Sequence, residues 1–245
     1  MAVTSLIQRD TLTLPNAVIV YDSRTLSTPS SELFQADYWG DRAVEHHEGR
    51  GAVWFLTHGE SEWVLKTYRR GGQVARWLAD QYLFFSYAST RMIREFDLLH
   101  RMVNAGLPVP RPVAACVTRL NGCLYRGHLI STRLSGTQSL SVKLSQGSLT
   151  SAVWKRVGET IARFHSEGVF HHDLNASNIL IGDADVYVID FDKCRFLARG
   201  HGYRWQAANV ARLKRSLERV AEPGTMTGDD WQTFCQGYHH TLEGS

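Results

Sequence analysis

The chain has 245 residues, 43% hydrophobic and 21% charged, with a formal net charge of +3. That composition excludes a disordered chain and buries a sizeable core, and one domain with two lobes suits the length better than two independent domains. The small net charge gives no sign of a nucleic-acid binder.

At the N-terminus the sequence lacks the basic-then-apolar order of a signal peptide, and no apolar run is long enough to span a bilayer, so any membrane association is expected to be peripheral. Segments 17–21, 51–56, 62–68, 113–117 and 124–132 are rich in strand formers and bounded by turn residues, which predicts an antiparallel sheet. Between the third and fourth, Ile93, Phe96, Leu99 and Val103 recur at helical spacing, and Gly106-Leu107-Pro108 stops the helix.

Three features of this half bear on function. Gly49-Arg50-Gly51 precedes a strand, so its backbone could approach nucleotide phosphates, although a glycine pair is equally a feature of an ordinary hairpin turn. Lys66 lies inside an apolar strand, where a charge is costly unless its head reaches a partner, and Glu95 on the following helix is the expected partner. The bland alternative is an edge-strand lysine and a surface glutamate. Thirdly, Arg69, Arg70, Arg76, Arg91 and Arg94 are interleaved with Trp77, Tyr82, Phe84, Phe85 and Tyr87, a mixture suited to phosphates or a sugar carboxylate at a membrane interface. A partly buried helix with solvated arginines has the same composition.

Residues 132–136 read as a hinge, after which the character becomes helical. The polar stretch 139–151 is expected to be a connection. Val153, Trp154, Val157, Ile161 and Phe164 mark a buried helical face, with Ser151 as its cap and Gly168 at its end. Segments 179–181 and 186–189 predict a hairpin through Gly182-Asp183, and Trp205, Ala208, Val210, Leu213 and Leu217 predict a further helix. Cys116, Cys123, Cys194 and Cys235 form no C-x-x-C pair, so neither a zinc ribbon nor a disulfide framework is indicated and a reduced, cytosolic setting fits.

The hairpin is flanked by the most informative residues of the chain. His171-His172-Asp173-Leu174-Asn175-Ala176-Ser177-Asn178, followed by Asp190-Phe191-Asp192, has the spacing of a phosphotransferase catalytic loop and its metal-binding partner. Phosphoryl transfer needs in-line positioning and charge neutralisation more than covalent help. Asp173 is therefore the candidate base for an acceptor hydroxyl, and Asn178 and Asp190 are the candidate oxygen ligands for Mg²⁺. His171, His172 and Asp173 also raise a metal-site reading, which neighbouring residues seldom satisfy.

In these residues the chain resembles the protein-kinase-like superfamily, and within it the lipopolysaccharide core kinases, most closely the 3-deoxy-D-manno-octulosonic acid (Kdo) kinases. Tyr38-Trp39, Gly49-Arg50-Gly51, Tyr68-Arg69-Arg70-Gly71-Gly72, Glu95-Phe96-x-Leu98-Leu99, Leu107-Pro108-Val109-Pro110-Arg111-Pro112, Asp173-Leu174-Asn175-Ala176 and Ile189-Asp190-Phe191-Asp192-Lys193 carry the likeness. It implies an α+β, bilobal kinase-like fold, with an N-lobe of antiparallel sheet plus helix at about 1–132 and a small, mostly helical C-lobe at about 133–245. It also implies ATP and Mg²⁺ as cofactors and phosphorylation of the 4-hydroxyl of a Kdo residue on a lipid A precursor. The setting would be the cytoplasmic face of a bacterial inner membrane, as a peripheral protein on an anionic surface, with no nucleic acid and no obligate protein partner.

In the family's order Gly49, Gly51, Lys66 and Glu95 stand at the nucleotide, Asn178 and Asp190 at the metal and Asp173 at the reacting hydroxyl, while the basic-aromatic mixture itself offers Arg69 and Arg70 as candidate acceptor contacts. Lys66 stands where some members carry Arg, Ser177 where many carry His, and Asp192 replaces the glycine of the protein-kinase triplet. The residues alone leave Kdo, heptose and another lipid-linked sugar hydroxyl open as acceptors. A protein kinase is disfavoured because a helical pattern begins soon after Asp190 and leaves little room for a peptide platform. An aminoglycoside- or choline-type kinase would bring an acidic acceptor pocket, whereas this region offers Arg204, Arg212, Lys214, Arg215 and Arg219. A non-catalytic pseudokinase adaptor is opposed by the intact Lys66, Asp173, Asn178 and Asp190.

Overall fold

The structure is a computed structural model that describes residues 6–48, 51–68, 82–121, 124–198 and 203–244. The chain divides into two compact units, one comprising residues 1–104 and 110–135 and the other residues 105–109 and 136–245.

In the first unit, strands β1 (Arg9–Thr13), β2 (Ala17–Asp22), β3 (Ala43–Glu48), β4 (Gly51–His58), β5 (Ser61–Thr67), β6 (Tyr82–Leu83), β7 (Pro112–Arg119) and β8 (Leu124–Thr132) form an antiparallel sheet. The order is β1-β2-β7-β8-β5-β4-β3, with β6 also pairing with β8. One face buries Ile19, Leu56, Trp63, Leu65, Cys116 and Ile130 together with Leu33, Phe34 and Trp39 from the short turn Ser31–Phe34 and the helix α1 (Ala36–Trp39). Helix α2 (Arg91–Asn104) packs on β7 and β8 and buries Met92, Ile93, Phe96, Leu99, Met102 and Val103, the apolar stripe that its spacing predicts.

Asp22 at the end of β2 is wholly buried, and Arg111 at the entry to β7 reaches its Oδ2 from Nε at 3.0 Å and from Nη2 at 2.6 Å. Burial alone would raise the carboxyl pKa. Hydrogen bonds from the Thr25 hydroxyl and the Gln8 N–H, with the Arg111 guanidinium, outweigh it and hold the pKa below the usual range.

The second unit contains β9 (Gln138–Ser139), α3 (Leu140–Gln146), α4 (Ser151–Ser166), β10 (Val169–Phe170), β11 (Ile179–Ile181), β12 (Val186–Val188), β13 (Arg195–Phe196), α5 (Arg204–Val220) and α6 (Gly228–Glu243). Strands β12, β11 and β9 form one small antiparallel sheet, and β10 pairs with β13. The segment 105–109 belongs here because Pro108 and Gly106 carbonyls accept from Val188 N–H at 3.1 Å and from Arg163 Nη2 at 2.7 Å.

Several local expectations change. The stretch 139–151 is not a bare connection, since α3 occupies half of it and buries Leu140 and Leu144 completely. Thr150, not Ser151, caps α4 by accepting the Val153 N–H. Ala208 is exposed and the neighbouring Asn209 is buried in its place. Strands β1 and β3 and helix α6 were not expected. The two strands run along the sheet edges with few apolar side chains, so they carry little of the alternation that signals a strand.

Helix α6 is weakly amphipathic because it meets α4 through glycine. A Cβ placed on Gly158 would lie 2.1 Å from the Phe234 carbonyl oxygen, and one on Gly237 would lie 2.5 Å from that of Lys155, so the two backbones touch. Gly158→Ala should therefore lower the unfolding free energy by about 1–3 kcal/mol in urea titration, although Ala is the better helix former by up to about 1 kcal/mol. A variant as stable as the wild type would show that the helices do not meet so closely.

Candidate active site

Within the first unit, β5 lies between β4 and β8, with Lys66 paired to Val53 and to Leu129. Alternation along the strand sends Trp63 and Leu65 into the core, so Lys66 leaves on the opposite face, where α2 packs. Its Nζ is 3.4 Å from Glu95 Oε1, and the Tyr68 hydroxyl donates to Glu95 Oε2. Glu95 is only 5% exposed, which rules out the surface-residue reading. Lys66 also lies 5.1 Å above the Tyr68 ring, and the Arg91 guanidinium lies 5.4 Å from that ring and 5.1 Å from the ring of Tyr82. The result is a fixed ammonium, held by a buried carboxylate and an aromatic face.

Gly51 opens β4 opposite Glu48. Gly49, Arg50, Arg69, Arg70, Arg76 and Trp77 lie outside the described residues. Of the basic-aromatic segment, the described part splits in character. Tyr82 is buried and stacks on Tyr125, whereas Leu83 and Phe85 are exposed, Phe85 at 84%.

Within the second unit, α4 ends at Ser166, Gly168 two residues on donates its N–H to the His165 carbonyl, and β10 leads directly into His171. The His171 ring is buried with its Nε2 3.1 Å from the Ile189 carbonyl. A carbonyl only accepts, so Nε2 carries the proton. Burial pushes the pKa of His171 down, against hydrogen bonding to Ile189 and the nearby Asp190 and Asp173. Nε2 is thus committed to Ile189, which removes it from the His171-His172-Asp173 metal reading. Phe191 is buried between the rings of His171 and Phe164, and His172 N–H donates to Cys194 Sγ at 3.2 Å.

Asp173 is exposed. Its Oδ1 accepts from Arg212 Nη1 at 3.0 Å, its Oδ2 from Asn175 Nδ2 at 3.2 Å, and its main-chain carbonyl from Asn178 Nδ2 at 2.9 Å. Asn175 Oδ1 accepts the N–H groups of Ser177 and Asn178, which closes the turn Ala176–Asn178. The Ile189 N–H donates to the Asn178 carbonyl at 3.0 Å, so the β11–β12 ladder ties the residues before Asp190 to Asn178. Asp190 itself has φ 64, a left-handed conformation that Asp and Asn tolerate better than most side chains.

With Nδ2 of Asn178 committed to Asp173, its Oδ1 is the atom left for a cation. An amide oxygen and a carboxylate are hard-oxygen donors of the kind that suits Mg²⁺, which keeps its other positions for water and phosphate. These residues fit the ion.

The residues that hold this loop were not singled out from sequence. Asn209 of α5 accepts from His171 N–H and donates to the His171 carbonyl, and Ser216 Oγ accepts the Ala176 N–H. Their signal was an amide and a hydroxyl at helical spacing beside Leu213 and Leu217.

An antiparallel sheet with a lysine and a helical glutamate, then an Asp, Asn and Asp arranged around a short hairpin, are the elements of a kinase-like phosphotransferase. At the level of family the assignment is direct: the chain belongs to the lipopolysaccharide kinase (Kdo/WaaP) family, whose profile matches residues 37–238. It is 38% identical over 207 residues to a 3-deoxy-D-manno-octulosonic acid kinase of Vibrio parahaemolyticus serotype O3:K6, covering 83% of this chain and 85% of the relative. A protein of the same name from Xylella fastidiosa strain M23 is 37% identical over 224 residues, covering 90% of this chain and 88% of the relative. Among solved structures, WaaP in complex with acyl carrier protein matches with a TM-score of 0.58 over 85% of this chain and 82% of that one, at 16% identity, a likeness of fold.

The start of the loop rests on a second buried histidine. His165 Nδ1 lies 2.6 Å from the Tyr238 hydroxyl, and burial pushes its pKa down to about 4, against a hydrogen bond with Asn209. Below the ordinary value of 6.5 the unfolded chain takes up a proton that the folded protein refuses, so this contribution is complete above that pH and is lost as pH falls towards about 4. The stability advantage of wild type over His165→Gln should shrink by about 2–3 kcal/mol between about pH 7.5 and about pH 4.5. Urea titrations at both pH values measure it, and a constant gap would show that His165 has no such linkage.

Proposed function

We propose that this protein transfers the γ-phosphoryl group of ATP to the 4-hydroxyl of a Kdo residue on a lipid A precursor. The observation that carries the reading is the arrangement of Asp173, Asn178 and Asp190 in a chain whose long matches are to proteins named Kdo kinases.

In this reading Asp173 receives the proton of the 4-hydroxyl as its oxygen forms the new bond to the γ-phosphorus, the bond to the bridging oxygen breaks, and ADP leaves. Asn178 Oδ1 and the Asp190 carboxylate hold Mg²⁺, which when bound neutralises charge on the phosphate oxygens. Lys66, fixed by Glu95 and Tyr68, binds nucleotide phosphates, and the backbone at Gly49 and Gly51 covers them. Arg69 and Arg70 bind anionic groups of the acceptor.

The acceptor is a lipid, so the protein works at the cytoplasmic face of the inner membrane as a peripheral protein on an anionic surface. Exposed Leu83 and Phe85 support a surface contact, and among the described residues no helix is long and apolar enough to cross a membrane.

Asp173→Ala should lose several orders of magnitude in single-turnover phosphorylation while ATP binding persists; near-normal turnover would remove it as the base. Asp190→Asn, which retains an Asx side chain at the left-handed position, should weaken Mg²⁺-dependent nucleotide binding as well as turnover. Labelled ATP offered with Kdo-bearing lipid A, heptosylated core, aminoglycoside and peptide acceptors should label the Kdo lipid. Transfer to heptose alone would correct the acceptor, and transfer to peptide or aminoglycoside alone would overturn the reading.

A further inference from the structure

Helix α5 carries a polar stripe, Asn209, Arg212 and Ser216, at a spacing that places all three on one helical face. All three reach the loop that bears Asp173. Asn209 Oδ1 accepts from His171 N–H at 3.2 Å and its Nδ2 donates to the His171 carbonyl at 3.1 Å, while Ser216 Oγ accepts from Ala176 N–H at 3.1 Å. These anchors lie about one turn to either side of Arg212, so the root of the arginine is fixed relative to the loop. From there its Nη1 reaches Asp173 Oδ1 at 3.0 Å.

Stability does not account for that contact. The two side chains are 47% and 55% exposed, and an ion pair in water adds little to folding. Among the described residues it is also the only side-chain hydrogen bond that Arg212 makes. A guanidinium is a planar fork of five N–H donors, so one bond to Asp173 leaves Nε and Nη2 for a second anion beside the candidate base.

The acceptor of the proposed reaction has such an anion. In a 3-deoxy-octulosonic acid the carboxylate is C1 and the reacting hydroxyl is on C4, with only C2 and C3 between them. A sugar whose 4-hydroxyl meets Asp173 therefore carries its carboxylate into the neighbourhood of a guanidinium already bonded to Asp173. We propose that Arg212 binds the carboxylate of the acceptor sugar acid and so selects an acidic sugar and aligns its 4-hydroxyl on Asp173. The inference rests on the Kdo kinase reading above. A γ-phosphate of ATP has similar anionic oxygens, and the kinetics separate the two.

The test uses the full-length protein, the Kdo-bearing lipid A precursor, and the same acceptor with its Kdo carboxylate converted to the neutral methyl ester. Wild type should show an acceptor KM about tenfold or more higher for the ester than for the acid. Arg212→Ala should raise the KM for the acid by about the same factor, leave the KM for ATP within about twofold, and no longer distinguish acid from ester. Arg212→Lys, which retains charge without the fork, should recover part of the discrimination. An unchanged KM for ATP also shows that the variants are folded.

Retained acid-over-ester preference in Arg212→Ala would overturn the proposal. So would a rise in the KM for ATP instead, which would give the guanidinium to the nucleotide, or a fall in kcat alone, which would make it a positioning residue for Asp173. If wild type phosphorylates no Kdo acceptor at all, it is the functional reading that fails.

Discussion

The candidate catalytic loop depends on one residue, His171, whose two flanking peptide groups are held by a single side chain. Its N–H and carbonyl are both bonded to the side chain of Asn209, and its ring is bonded to the carbonyl of Ile189, immediately before Asp190. A buried amide with both ends satisfied is a demanding constraint, because losing either partner leaves a desolvated polar group. From that point the chain has little freedom. Asp173 follows two residues later, its carbonyl is held by Asn178, and the Asn178 carbonyl is in turn held by Ile189. Proposed base and metal ligands thus belong to one closed ring of hydrogen bonds, which preorganises them before any ligand arrives.

The first unit applies a different device to Lys66. Pairing on both sides of β5 fixes the face from which Lys66 leaves, and a lysine in that half-buried setting is favoured by a counter-charge. Glu95 supplies it from a largely buried position and is itself supported by the Tyr68 hydroxyl. A buried carboxylate deprived of its cation is expensive, so the arrangement resists rearrangement more than it adds to stability. Asp22 and Arg111 show the same physics: a wholly buried carboxylate kept charged by a fork of donors.

Packing beneath the loop follows from small residues and rings. Gly158 and Gly237 allow α4 and α6 to meet backbone to backbone, and Phe234 and Tyr238 lie against this contact. Tyr238 then bonds His165 near the end of α4, and Phe191, just after Asp190, fills the space between Phe164 and His171. Helix contact, neutral histidines and the segment following Asp190 are therefore coupled through a single interior.

Much of this was legible in the sequence wherever a local rule applied. The strand at 124–132, the stripe of α2 and the hairpin around Gly182-Asp183 carry their own periodicity and turn chemistry, and Asp173, Asn178 and Asp190 are set by spacing along a short stretch of chain. The pairing of Lys66 with Glu95 was foreseeable because a charge in an apolar strand demands a partner. Asn209, Arg212 and Ser216 share one helical face in the sequence, but that spacing does not say which segment the face meets, so their place beside the loop came only from the tertiary structure. Edge strands β1 and β3, short α3 and the glycine-mediated α6 were missed for a related reason: their residues are chosen by what lies across from them. Local chemistry is encoded by residues near one another in the chain, whereas these contacts exist only once the tertiary structure brings distant segments within hydrogen-bonding or van der Waals distance.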